Sequence, residues 1–147
     1  MQIIGLEDKV IPDTGKAEHY WFENKAIGLE IARYHRIVIP LGTFHTGPDW
    51  VAQPESPEVT IEWLKVPAQD PSNLVGEYVH GKNMCGVEAS VYLGDSHNWI
   101  ELESLRVIEA NSGFRLLLSG IIDFEAEGVG RNERIRLEVP VVYSGEA

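Results

Sequence analysis

The sequence predicts a mainly β protein: one domain, 1–147, built as an antiparallel β-sandwich or open barrel of about seven to nine strands, with room for one short helix. Three observations predict it. Apolar and polar residues alternate with period two through most of the second half. Turn signals rich in Gly, Asn and Pro separate those runs. Strands and helical patterns do not alternate, so nothing calls for a parallel sheet.

In chain order, MQIIGLEDKVIPDTGK has no basic leader and no long apolar run, unlike a signal peptide. Residues 17–35 carry two patterns. Tyr20, Asn24, Ile27, Ile31 and Tyr34 fall at helical spacing, whereas Ile27, Leu29 and Ile31 alternate. Gly28 costs a helix about 1 kcal/mol, which favours strands over 18–23 and 28–39. Residues 36–41, RIVIPL, are apolar and β-branched. The 42–58 stretch, with its prolines and glycines, is a long loop, as is 67–73. Between them VTIEWLKV (59–66) predicts a strand with Val59, Ile61 and Trp63 on one face and Leu64 and Val66 on the other.

The second half is more regular. VEASVYL (87–93) places Val87, Ala89, Val91 and Leu93 against Glu88, Ser90 and Tyr92. In 99–109, Ile100 and Leu102 share a face, but Leu105 and Val107 take the opposite parity. A bulge near Ser104 restores the face. Asn111-Ser112-Gly113 predicts a tight hairpin. The next strand, 114–126, is interrupted by Gly120, where a bend or bulge fits. After a loop at 128–132, the strand 134–143 points Ile135, Leu137, Val139, Val141 and Tyr143 inward. Pro140 marks it as an edge or a strand end. Residues 98–143 therefore read as a three-stranded meander.

Twenty-three acidic residues against twelve basic ones give a net charge of −11. The excess is even: eleven acids and six bases in 1–73, twelve and six in 74–147. Such a field repels nucleic acid and anionic membranes. It suits a basic protein partner and also keeps a protein soluble. No run of about 18 apolar residues exists, so no membrane span is expected. One cysteine allows no internal disulfide and fits a reducing compartment, so the expected location is the cytoplasm.

Cys85 lies near His80, Asp95 and His97 in sequence, which raises a nucleophile or a metal site. The spacing H-x4-C-x9-D-x-H matches no compact zinc signature. VEASVYL as a strand spans roughly 23 Å, so its flanking turns lie at opposite ends. Packing explains Cys85 better. His19, His35 and His45 are scattered, and no phosphate-loop, dinucleotide or serine-hydrolase motif occurs. These observations point to no catalytic residues, no metal and no cofactor.

Two binding features remain. Glu101, Glu103, Asp123 and Glu125 fall on adjacent predicted strands, opposite the apolar face. With Trp50 they make a candidate partner-binding surface. Cross-strand pairs with Arg115, Arg134 and Arg136 explain the same acids without function. The expectation is a non-enzymatic acidic interaction protein, in its concrete form an immunity- or antitoxin-type inhibitor of a basic protein. The alternatives are a small-ligand-binding barrel or sandwich, possible as an enzyme, with His45, Asp49 and Trp50 at its mouth, and a structural subunit of a homo-oligomer.

Overall fold

The computed structural model describes residues 3–45, 56–80, 83–84 and 86–147. Its strands are β1 (Gly15–Asn24), β2 (Leu29–Pro40), β3 (Glu58–Leu64), β4 (Gly76–His80), β5 (Asn83–Met84), β6 (Glu88–Leu93), β7 (Ser96–Ala110), β8 (Gly113–Ile122) and β9 (Glu133–Glu146). One short helix, α1 (Leu6–Lys9), precedes them. The order β7-β6-β3-β2-β1-β9-β8 returns to β7, which closes a seven-stranded barrel. β4 and then β5 extend the sheet from the second half of β7.

The predicted β class and strand number hold. One pairing departs from the antiparallel rule: β1 runs parallel to β9, with Gly15 beside Val141. A parallel pair needs a long crossover. Here the rest of the barrel is that crossover, so no helix is required and no local sequence pattern announces the pairing.

The ambiguous 17–35 stretch is a hairpin of β1 and β2, in register from Lys16–Val38 to Phe22–Ala32 and shifted by one residue at Asn24–Leu29. A 3₁₀ turn at Lys25–Ile27 joins them. Asn24 Oδ1 accepts the Ala26 N–H, and Gly28 closes the turn at φ +79°. The bulge expected near Ser104 is present, as a register shift between Leu102 and Ser104. Gly120 stands opposite it. A Cβ there would lie 2.4 Å from the Glu101 carbonyl oxygen, so the strands meet at a distance only glycine allows.

One strand end differs from expectation. β8 stops at Ile122 rather than 126, because Asp123 Oδ1 takes the Ala126 N–H and turns the chain. Pro140 lies inside β9 but on a locally open edge, as expected. Pairing with β1 begins only at Val141, so on that side there is no ladder for proline to interrupt.

Inward residues of every barrel strand form one continuous apolar core, so the interior is filled. Ile4 and Leu6 plug one end, fully buried. Glu133, at the start of β9, holds them there. Its carboxylate accepts the N–H groups of Ile4, Gly5 and Leu6 at 2.8, 2.9 and 2.9 Å. No helix among the described residues is long and apolar enough to cross a membrane.

Candidate functional site

The outward residues of five neighbouring barrel strands line a groove of about 460 Å³. β1 contributes Tyr20 and Phe22, β2 Arg36, β3 Thr60 and Glu62, β6 Glu88 and Ser90, and β7 His97 and Trp99. Period two places these side chains outside while Ala17, Ile37, Ile61, Ala89 and Ile100 fill the core. Trp63 reaches the same groove by another route. It was expected to share a face with Val59 and Ile61, but its backbone adopts φ +58°. That turns its ring out beside Phe22, at a centroid distance of 6.4 Å, and gives the inward place to Leu64. A bulky residue in left-handed backbone is costly and marks a site where surrounding structure imposes the conformation.

The floor is a charged network. Arg36 Nε donates to Glu62 Oε1 at 2.5 Å and Nη1 to Glu18 Oε1 at 3.2 Å, while its guanidinium lies 5.2 Å from the Tyr20 ring centre. The Tyr20 hydroxyl donates to Glu62 Oε2 at 2.9 Å. Burial, then the bond to Glu62 and its charge, raise the Tyr20 hydroxyl's pKa well above the usual phenol value, so it stays a donor. Glu62 also raises the Arg36 pKa. Directly across the ladder from Glu62 is Glu88. Partial burial, then the Glu62 charge, push the Glu88 carboxyl up. Among the described residues no cation pairs with Glu88. Arg36 is already shared by two carboxylates, so the groove keeps an excess of negative charge between aromatic walls.

His97 lies along one side, its Nδ1 3.4 Å from Ser90 Oγ and its ring against the edge of Tyr92. The β6–β7 hairpin that sets this register turns through Gly94 and Asp95, both at positive φ. Asn98 locks it, its buried Nδ2 donating to the carbonyls of Val91, Leu93 and Ser96.

The residues singled out from sequence lie mostly elsewhere. Glu101 is exposed on β7, on the same face as Trp99 and two residues beyond it. Glu103 pairs with Arg134 at 2.6 Å. Asp123 and Glu125 lie in the turn after β8, not on a strand. Glu125 Oε2 accepts the Asn132 N–H, and Asn132 Oδ1 accepts the Glu125 N–H. Arg115 pairs with Glu138 at 3.0 Å. His45 is exposed at the start of the long loop. Asp49, Trp50 and Cys85 lie outside the described residues, as does the His80 side chain. Among the described residues no three His, Cys, Asp or Glu side chains are placed to hold a metal.

In the sequence Tyr20, Trp63, Glu88 and Ser90 stand out only for their place in a periodic pattern, and nothing there singles out Phe22, Arg36, Glu62 or Trp99 as a site. The signal for Trp99 was its parity: it shares the polar face with Glu101, and it is 51% exposed. Compared with family models, curated proteins and solved structures, the chain matches none of them.

Proposed function

We propose that this protein is a non-enzymatic binding module whose outer groove receives a cationic side chain from a basic protein partner. The observation that carries the reading is the opposition of Glu62 and Glu88 across β3 and β6, between the rings of Phe22, Trp63 and Trp99. Opposed like charges destabilise a sheet, and their Cβ atoms stand about 4.5–5.5 Å apart. A lysine or arginine entering between them relieves that repulsion. It also gains cation–π attraction, about 0.5–2 kcal/mol per well-placed ring. The net charge of −11 steers basic partners toward the protein. Glu101 extends the negative rim beyond Trp99. Glu103, Asp123 and Glu125 add charge to the field while engaged in their own contacts. A cytoplasmic inhibitor of the immunity or antitoxin type, capping a cationic surface, is the concrete form of this reading.

The groove volume also suits a small organic cation. A ligand held inside the barrel is not supported, because the core fills it. The reading is tested by titrating lysine- and arginine-containing peptides while following tryptophan fluorescence. We expect binding that weakens with salt, is lost on lysine acetylation and falls about tenfold in Glu88→Gln. Binding of acetylated and unmodified peptides with equal affinity would reject it.

A further inference from the structure

A second cluster lies at the end of the barrel away from the Ile4–Leu6 plug. Inward positions of three consecutive strands place His19 (β1), His35 (β2) and Tyr143 (β9) together. His19 and His35 are direct ladder partners, and Tyr143 pairs with Ala17, two residues from His19. The ring centres are 5.9 Å apart for His19–His35, 5.8 Å for His19–Tyr143 and 6.2 Å for His35–Tyr143. The Tyr143 hydroxyl is hydrogen-bonded to His19 Nδ1.

His35 is the telling member. It is 1% exposed, and its Nε2 donates to the Pro71 carbonyl at 2.7 Å in the loop above. In the neutral ring that bond fixes the tautomer and leaves Nδ1 as a bare lone pair. Nδ1 is buried and has no hydrogen-bond partner. An imidazole tied through one nitrogen to a backbone carbonyl, with the other unused, has the arrangement that orients a metal-ligating histidine. The His19–His35 separation also has about the right size. Imidazole nitrogens about 2.1 Å from a metal place their ring centres about 3.3 Å from it, and a tetrahedral angle then separates two such centres by about 5.4 Å.

We propose that His19, His35 and Tyr143 form a binding site for a divalent first-row transition metal, with copper(II) held more tightly than zinc(II). Two imidazole nitrogens and one phenolate oxygen suit both ions, and copper leads in the affinity order for such donors. Binding replaces the Tyr143–His19 hydrogen bond with two metal–ligand bonds and releases the Tyr143 proton to solvent. The three ligands lie far apart in sequence, so no compact spacing signals them.

The test is titration of the full chain with copper(II) chloride, and separately zinc(II) chloride, against a competing chelator. Visible absorption is recorded for copper, because phenolate-to-copper charge transfer reports Tyr143 directly. We expect one equivalent of either metal to bind, a visible band, loss of that band in Tyr143→Phe, and at least tenfold weaker binding in Tyr143→Phe and His19→Gln. His45→Gln, exposed at the start of the 42–58 loop, should leave both readouts unchanged. Weak or absent binding, no band, or affinity lost in His45→Gln rather than in Tyr143→Phe and His19→Gln would each overturn the site. The Tyr143→Phe variant differs by one oxygen atom, so misfolding does not mask the result.

Discussion

Replacing Glu133 by glutamine removes one charge and almost no volume, and it should loosen the plugged end of the barrel. The Glu133 carboxylate takes two N–H groups, Ile4 and Gly5, on Oε2 and a third, Leu6, on Oε1. An amide oxygen can keep the first two as neutral bonds. Hydrogen bonds to a charged group contribute about 1.5–3 kcal/mol against about 0.5–1.5 for neutral ones, so each loses about 1 kcal/mol. The third N–H then faces an amide NH₂ and is left unsatisfied above a fully buried Leu6, at about 1–3 kcal/mol. Glu133 is half-buried and water recovers part of this, so the expected loss is about 2–3 kcal/mol. For a domain of this size that lowers Tm by roughly 5–10 °C. Urea unfolding of both proteins measures it, with the slope m unchanged if only the native state is affected. A loss below about 0.5 kcal/mol would refute the reasoning.

Gly120→Ala should cost at least about 3 kcal/mol, above the usual overpacking penalty. The added carbon meets a backbone oxygen at 2.4 Å and Ile100 Cγ2 at 2.9 Å; a near-native urea midpoint would contradict this. Asn98→Ala leaves three hairpin carbonyls without their donor and should cost about 2–3 kcal/mol, read by the same method. Stability should also depend on pH through His35. Burial is the largest cause holding its pKa below 6.5, aided by His19 and Arg33, while the Pro71 and Leu64 carbonyls oppose the shift. The unfolded chain therefore binds this proton more readily than the native one. The His35 contribution is complete above pH 6.5 and is lost as pH falls toward the depressed native value. In EDTA, acidification from neutral pH should weaken the parent protein more than His35→Gln, and the reverse order would refute the assignment.

Local features of the fold were legible because local physics sets them. The Leu102–Ser104 bulge followed from a parity switch, the 111–113 turn from its residue types, and Gly120 from its interruption of a strand. Closure of the barrel was not legible, because it depends on β1 meeting β9 across the whole chain and no residue encodes a distant parallel partner. The groove was hidden for the same reason. Glu62 and Glu88 are each an ordinary outward acid, and only the β3–β6 register makes them neighbours. Trp63 misled because its left-handed backbone breaks the alternation that the sequence implies. Asp123 and Glu125 misled because an aspartate that bonds the backbone ends a strand whose apolar parity continues through Phe124.

The central claim is that the groove between Glu62 and Glu88 accepts a cation, and Arg36→Met tests it most directly. This change removes the resident positive charge while keeping an unbranched apolar stem, and it leaves Trp63 and Trp99 in place. Isothermal titration of the parent and the variant with one arginine-containing peptide gives the answer. A cation-accepting groove binds the peptide more tightly without Arg36, by roughly three- to tenfold at low salt given surface screening. Weaker binding in the variant would mean that Arg36 itself holds the ligand, and the groove would then be a site for anionic or neutral groups.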